Sequence, residues 1–444
     1  MILPNHIWPT TATVHTQGHL TIGGCDVVSL AHLHGTPLYV LDAATITEHC
    51  QTYREALRHG YSGSSSIHYA SKALLNTAVA QMMSAHGLGL DVVSGGELYI
   101  ALQAGIPAPH LHLHGNAKPR AELEMALEVG IGRIVVDTLD ELAVLSQLAA
   151  SRPSPQSVML RLAPGINADT HAYIATGHEE SKFGLPLTAL GAAVDRIVES
   201  PGLRLSGLHV HLGSQLFDER PFVQAIDLLL DQAVWLRTTY DITLDAISPG
   251  GGIGVSYTTE QQYDIHGWAA QVGRSLEAGC KVRGLPLPQL IIEPGRSIVA
   301  RAGVALYSVV ATKAAPHQPR YLHIDGGMAD NIRPALYQAR YAALLANRAH
   351  ERPTEQVHVA GRFCESGDVL LRDAALPCAT PGDLLAIASS GAYTLSMASN
   401  YNQVPRPALL LVEDGTATVI QRRETYADLI ARDVSLPLRE KVGG

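Results

Sequence analysis

Short apolar stretches alternate with longer amphipathic stretches over most of the chain. The short stretches are rich in Val, Ile and Leu and end on polar or glycine residues, which predicts buried strands. The longer stretches, such as residues 43–60, 76–86 and 139–149, carry apolar residues at helical spacing. The predicted strands lie at residues 67–73, 89–94, 110–115, 133–137, 158–164, 205–214, 245–252 and 289–295.

Eight strands that alternate with helices match the strand count of a (β/α)8 barrel. An open doubly wound sheet gives a similar rhythm but usually has fewer strands. We therefore predict an α/β fold with a (β/α)8 TIM barrel at residues 43–307.

The alternation of strands and helices ends after residue 307, where strand-like stretches follow one another and are separated by turns. We predict strands at residues 321–325, 357–361, 384–388, 408–412 and 417–421, and one helix at residues 334–346. Residues 20–22 and 37–41 also have strand character, and chain termini often meet in space. A second, mainly β domain is therefore expected from residues 1–42 together with residues 308–444.

The composition narrows the possible classes of protein. With 46% hydrophobic and 16% charged residues among 444, the chain has the make-up of an ordinary globular protein. Its formal net charge of -9 argues against a nucleic-acid or anionic-membrane partner. The five scattered cysteines argue against a disulfide scaffold and a structural zinc site. Because neither a signal peptide nor an apolar run of about 20 residues is visible, a cytoplasmic protein is expected.

Lys72 ends the first predicted barrel strand, and functional groups of barrel enzymes lie at such carboxyl ends. A lysine in an apolar strand is costly to bury, and desolvation favours the neutral amine that reacts with a carbonyl cofactor. The alternative is a lysine whose head group simply reaches water, which is the more common case for a lone strand-end lysine. The other strand ends decide between these two interpretations.

Two further strand ends carry groups that suit a phosphorylated cofactor. The sequence PGGGIG at 249–254 allows backbone N–H groups to approach a phosphate, although such a loop is as often only a tight turn. Glu293 and Arg296 end the last strand, either as a local ion pair or as partners of a ring nitrogen and an anion. Together with Lys72 they form the set expected for pyridoxal 5'-phosphate.

Histidines occupy alternate positions in two predicted strands. His209 and His211 share one strand face, as do His110, His112 and His114. Because no carboxylate ligand lies close to either group in the sequence, we expect no metal site.

Many separated motifs lie in a fixed order along residues 37–411. They are YASK at 69–72, DVVSGGEL at 91–98, HGN at 114–116, HVHLGSQ at 209–215, GGGIG at 250–254, EPGR at 293–296, RPALY at 333–337, CESGD at 364–368 and GAY at 391–393. On these motifs the chain closely resembles the diaminopimelate decarboxylase family, in the alanine-racemase-like (fold type III) class of pyridoxal-phosphate enzymes.

The resemblance implies roles for the cofactor-binding residues. Lys72 would form the imine with the cofactor aldehyde, His211 would stack on the ring, and Glu293 would pair with the pyridine nitrogen. The phosphate would be held by Ser214, Gly251, Gly252, Gly295, Arg296 and Tyr393.

For the substrate, the resemblance implies that a carboxylate is recognised by Arg296, Arg333 and Tyr337, with Tyr393 beside them. Glu365 would bind the distal amino group, and Cys364 would return a proton to the substrate after carbon dioxide leaves. In this family Cys364 and Glu365 reach the active site of the neighbouring subunit. The β-rich domain is therefore expected to supply substrate-binding and interface residues in a homodimer with shared active sites.

The expected activity is the decarboxylation of meso-2,6-diaminopimelate to L-lysine, the last step of lysine biosynthesis. Arg333 and Tyr337, four apart on a predicted helix, suit a second carboxylate, which ornithine and lysine lack. The main alternative is a fold-type III decarboxylase for another amino acid, such as ornithine, arginine or a carrier- or siderophore-pathway substrate. A non-catalytic cofactor-binding protein is a second alternative, but such proteins are much shorter.

Overall fold

The computed structural model of the protein describes residues 3–166, 182–258, 262–315 and 318–436. The N-terminal part begins with a small antiparallel sheet of three strands, followed by one helix and one longer strand. These elements are β1 (Thr13–Val14), β2 (Leu20–Ile22), β3 (Cys25–Asp26), α1 (Val27–His34) and β4 (Leu38–Asp42).

The middle of the chain alternates strands and helices. Its strands are β5 (Ser65–Ala70), β6 (Gly89–Val92), β7 (Leu111–Leu113), β8 (Arg133–Val136), β9 (Gln156–Ala163), β10 (Leu185–Pro186), β11 (Leu203–His209), β12 (Ala246–Ser248) and β13 (Gln289–Ile292). Its helices are α2 (Ala43–Gly60), α3 (Thr77–Ala85), α4 (Gly95–Gln103), α5 (Arg120–Val129), α6 (Leu139–Ala149), α7 (Leu190–Val198), α8 (Arg220–Tyr240), α9 (Ile265–Arg283) and α10 (Arg296–Val299).

Eight of these strands form a closed parallel barrel, and β10 is a two-residue addition beside β9. Closure follows from β9, which pairs in parallel with both β8 and β11. All eight predicted strands are confirmed, but the predicted ranges run past the observed carboxyl ends. The residues after the last backbone hydrogen bond of each strand lie in loops, and these loops form the candidate site described below.

The C-terminal part is mainly β, as predicted. Its elements are β14 (Gly303–Ala315), β15 (Gln318–Ile324), α11 (Arg333–Tyr337), β16 (Ala343–Leu345), β17 (Glu355–Ala360), β18 (Val369–Leu376), β19 (Leu384–Ile387), β20 (Ala408–Glu413), β21 (Thr416–Gln421) and α12 (Tyr426–Leu429). Single turns of 3-10 helix lie at Ser71–Ala73, Ala108–His110, Leu187–Ala189, Ala346–Arg348, Leu395–Met397 and Tyr401–Gln403.

The N-terminal strand β4 is built into the C-terminal sheet. It lies between β14, to which it is antiparallel, and β20, to which it is parallel. A separate core cluster joins both ends of the chain, with Leu20, Leu38, Val304 and Leu410 among its buried residues. The prediction that the N-terminal strands join the β-rich part is therefore confirmed. The predicted division at residue 307 falls inside β14.

The predicted helix at residues 334–346 is wrong over most of its length. Helix α11 ends at Tyr337, because Gln338 adopts a left-handed conformation with φ of 55°. The apolar residues that follow form β16, which pairs with β19. A tertiary strand partner thus overrides the helical spacing of this stretch. In the described ranges, no helix is both long enough and apolar enough to cross a membrane.

Candidate active site

A cavity of ≈ 330 Å³ opens where the barrel strands end. Its wall is formed by residues that follow the carboxyl ends of several strands, as expected for a barrel enzyme. The cavity brings together eight of the predicted site residues. They are Lys72, His211, Ser214, Gly252, Glu293, Gly295, Arg296 and Tyr393.

Lys72 lies two residues beyond the end of β5, in the 3-10 turn, and its side chain lines the cavity. Buried hydrogen bonds fix this turn: the Tyr69 hydroxyl donates to the Leu74 carbonyl at 2.8 Å, and the Tyr393 amide donates to the Ala73 carbonyl at 2.9 Å. The Lys72 side chain is exposed, so the chain by itself does not desolvate the amine. The turn, rather than a strand, sets the position of Lys72.

Glu293 is buried at the end of β13 and accepts two hydrogen bonds. His209 donates through Nε2 to Oε2 at 3.0 Å, and the Ser248 hydroxyl donates to Oε1 at 2.7 Å. Burial alone would raise the pKa of Glu293, but His209 and His114 beside it hold that pKa well below its usual range. Glu293 is therefore an ionised carboxylate inside the barrel.

Asp91 is a second buried carboxyl group in the cavity wall, which strand-end reading missed. Burial and the charge of Glu293 raise the pKa of Asp91 well above its usual value, whereas the pKa of Glu293 is lowered. His114 lies between them, with Nε2 3.2 Å from Asp91 Oδ1 and 3.9 Å from Glu293 Oε1. Asp91 lies within β6 rather than after it, so a search of strand ends passes over it, although it begins the DVVSGGEL motif at 91–98.

The glycine loop forms a close-packed wall that side chains could not replace. A Cβ atom at Gly251 would lie 2.0 Å from the Glu293 carbonyl oxygen, and one at Gly252 would lie 2.1 Å from that of Gly213. The Gly251 amide donates to His211 Nδ1 at 3.3 Å. Burial, together with the charges of Lys72 and Arg161, holds the pKa of His211 well below its ordinary value. His211 is therefore a neutral ring.

Arg296 begins α10 and is buried against polar and aromatic partners. Its Nε and Nη2 atoms donate to the Ser214 hydroxyl at 3.1 and 3.0 Å. The Tyr393 ring lies 4.7 Å from the Arg296 guanidinium carbon. Tyr393 itself has a φ of 56°, a strained conformation for a residue other than glycine that is typical of functional sites.

These groups match the three attachment points of pyridoxal 5'-phosphate. Lys72 offers an amine for its aldehyde, and Glu293 offers an ionised carboxylate for its ring nitrogen. The glycine wall, Ser214 and Arg296 offer backbone space and donors for its phosphate. The residues therefore fit the cofactor that the sequence predicted.

Of the predicted substrate residues, Arg296 and Tyr393 line this cavity, but the other three and Cys364 do not. Arg333 is buried in α11 and Tyr337 is half-buried, but neither lines the cavity. Cys364 and Glu365 are exposed on a loop of the β-rich part, also away from the cavity.

Sequence reading also missed Tyr257 and Tyr341, two buried tyrosines that contact the predicted substrate arginines. No motif that we recognised in the sequence marked them.

Two buried groups in the described residues have the donor types of a metal site, His68–Asp91–His112 and His114–His209–Glu293. Asp91 and Glu293, which are distant in the sequence, thus bring a carboxylate to histidines of both alternating groups, and His211 belongs to neither cluster. In the first group the His68 and His112 rings stack 3.6 Å apart at 15°, so their lone pairs run parallel and do not converge. The second group surrounds Glu293 and belongs to the cofactor cavity.

Comparison with known proteins agrees with the class that this barrel and cavity define. Residues 43–300 match the family model for the pyridoxal-binding domain of pyridoxal-dependent decarboxylases.

Two diaminopimelate decarboxylases are similar over nearly the whole chain. The one from Halalkalibacterium halodurans is 42% identical over 97% of this chain and 99% of its own length. The one from Bacillus subtilis is 43% identical over 96% of this chain and 97% of its own. A crystal structure of diaminopimelate decarboxylase from M. jannaschii with L-lysine is 35% identical, with a TM-score of 0.89 over 96% of this chain and 98% of that one. This chain belongs to the diaminopimelate decarboxylase family.

Proposed function

We propose that this protein removes carbon dioxide from meso-2,6-diaminopimelate and forms L-lysine, the last step of lysine biosynthesis. The observation that carries the proposal is an ionised Glu293 in the same barrel cavity as the Lys72 amine. Membership of the family supports the same activity.

Pyridoxal 5'-phosphate, when bound, supplies a sink for the electron pair left at Cα after carbon dioxide departs. Lys72 would hold the cofactor covalently, and His211 would lie against its ring. Glu293 would pair with the ring nitrogen and retain a proton there, because an ionised carboxylate favours a charged partner. An arginine in place of Glu293 would favour an unprotonated nitrogen and simple proton exchange, so Glu293 favours decarboxylation over racemisation.

We assign the phosphate of the cofactor to Ser214, Arg296, Tyr393 and the backbone of the glycine wall, including Gly251, Gly252 and Gly295. The substrate carboxylate that is retained would bind Arg296 and Arg333, with Tyr337 and Tyr393 beside them. Glu365 would bind the distal amino group, and the Cys364 thiol would deliver the proton that Cα needs after carbon dioxide leaves.

We propose that the protein acts as a homodimer with shared active sites. Cys364 and Glu365 are exposed and lie outside the cavity of their own chain, so they can serve a site only if another chain meets them. Sedimentation of the protein should give the mass of two chains, and a monomeric enzyme with full activity would contradict this proposal.

The test of the activity is the release of carbon dioxide from five substrates assayed in parallel. We expect release from meso-diaminopimelate with formation of L-lysine, and none from L,L-diaminopimelate, lysine, ornithine or arginine. Preferred turnover of ornithine or arginine would instead assign the protein to another activity of the same fold.

A further inference from the structure

Tyr257 lies between the two arginines assigned to the substrate carboxylate. It follows the glycine loop of the barrel, and its side chain is 4% exposed. Its backbone carbonyl accepts from the Ala342 amide at 3.0 Å, and its ring packs edge-on against Tyr341 at 5.2 Å. Tyr257 therefore joins the barrel to the segment that carries Arg333.

On the barrel side, the Tyr257 hydroxyl accepts a hydrogen bond of 2.7 Å from Nη1 of Arg296. The other two nitrogens of that guanidinium group donate to Ser214. Each of the three guanidinium nitrogens of Arg296 thus donates to one of two hydroxyl groups, and the orientation of its plane is defined.

On the other side, Arg333 lies in an aromatic cage. Its guanidinium carbon is 4.7 Å from the ring centre of Tyr257 and 5.5 Å from that of Tyr341, and Nη1 donates to the Tyr341 hydroxyl. Within the described part of the chain, Nε of Arg333 has no hydrogen-bond partner, and no carboxylate forms an ion pair with Arg333 or Arg296.

Two buried cations without a carboxylate attract a ligand that brings one. Like charges would otherwise separate, and Tyr257 opposes this by accepting a hydrogen bond from Arg296 while its ring faces Arg333. The electrostatics agree, because burial raises the pKa of Tyr257 but Arg296 and Arg333 together lower it below the ordinary tyrosine value. The hydroxyl thus stabilises the paired arrangement.

We propose that Tyr257 is a positioning residue that fixes Arg296 and Arg333 relative to each other and thereby selects substrates with a second carboxylate. The substrate named here rests on the proposed function. The role of Tyr257 in fixing the two arginines does not depend on that function, so an experiment can contradict one claim without the other.

The test is Tyr257→Phe in the cofactor-loaded enzyme, which keeps the ring and removes the hydroxyl that accepts from Arg296 and lies near the charge of Arg333. We expect KM for meso-diaminopimelate to rise about tenfold, since a hydrogen bond to a charged group is lost, while kcat changes far less. Cofactor stoichiometry and thermal midpoint should stay near those of the unchanged protein. Tyr263→Phe is the matched control, because the buried Tyr263 hydroxyl has no hydrogen-bond partner in the described chain.

Equilibrium binding of pimelate, the dicarboxylate skeleton without amino groups, gives a readout independent of turnover. Tyr257→Phe should weaken it about tenfold in the unchanged background and hardly at all in Arg333→Ala, because the residue acts through that arginine. Additive effects of the two substitutions, unchanged pimelate affinity in Tyr257→Phe, or no pimelate binding by the unchanged protein would each overturn the proposal. Absent turnover of meso-diaminopimelate with coupled pimelate binding would overturn only the proposed function.

Discussion

In the barrel cavity, Glu293 is buried and each of its oxygens accepts a hydrogen bond, whereas on the β-rich part Cys364 and Glu365 are exposed. The loop that carries the exposed pair is nevertheless held firmly. The Asp368 carboxylate accepts from the Met328 amide at 2.7 Å and from the Phe363 amide at 2.8 Å.

A loop that contacts no partner is usually mobile, whereas this loop has a backbone fixed by hydrogen bonds and exposed side chains. Such a combination is expected of a loop that meets another chain. The Cys364 amide also donates to Asn402 Oδ1 at 3.0 Å, which holds the loop from a second side. The residues proposed to hold the cofactor, the barrel half of the site, thus lie together within one chain. The other half, the loop with the proposed proton donor Cys364, is held by hydrogen bonds and exposed.

The largest effect is expected in the barrel half. Lys72→Ala removes the amine that would bind the cofactor and should lower kcat by at least about 10⁴-fold. Because Lys72 lies in a turn held by backbone contacts, the thermal midpoint should change little. Turnover and circular dichroism measure the two outcomes, and retained decarboxylation would remove Lys72 from the chemistry.

Cys364→Ala should lower kcat by about 10³-fold by removing a proton donor, and leave cofactor binding intact.

The intact halves of the two variants can then be combined in one mixed dimer. Co-expressed Lys72→Ala and Cys364→Ala chains should recover about one quarter of the normal activity, the fraction expected from random pairing in a two-fold dimer. If the mixture stays inactive, each site is made from one chain, and the exposed loop does not serve a neighbouring site.

Arg333→Ala should act on the substrate and not on the cofactor. We expect KM for meso-diaminopimelate to rise about 100-fold, since a bidentate carboxylate contact is lost, with cofactor affinity nearly unchanged. Kinetics and an absorbance titration with the cofactor separate the two quantities. Equal loss of both would place Arg333 in the scaffold of the site.

The division between barrel and β-rich part also explains which parts of the fold and of the candidate site could be predicted from the sequence. The eight barrel strands and the cofactor residues at their ends follow from local patterns, because parallel strands bring their carboxyl ends to one edge. Asp91 and Tyr257 could not be found in this way: one lies inside a strand, and the other matters only because a second segment packs on it. The helix predicted at residues 334–346 failed for a similar reason, since β19 recruits Ala343–Leu345 as a strand.

The stability of the two regions should respond to pH in opposite directions. Burial lowers the pKa of His68 in the barrel to about 4, from an ordinary value of 6.5. The folded barrel therefore binds fewer protons than the unfolded chain, and this contribution is complete above pH 6.5 and lost as pH falls toward 4. Burial raises the pKa of Asp330 in the β-rich part to about 6, so its contribution falls as pH rises.

Denaturant unfolding at several pH values between 4 and 7 measures the balance. We expect acid to destabilise the protein overall, because the pKa values of His49, His112, His114 and His211 are also lowered, in each case first by burial. His68→Phe keeps the stacking on His112 and should reduce the acid loss by about 3 kcal/mol, at 1.36 kcal/mol per pKa unit. Asp330→Asn should enlarge it, and His32→Phe on the surface of α1 is the control. An acid loss that His68→Phe leaves unchanged would mean that the barrel histidines do not set the pH response.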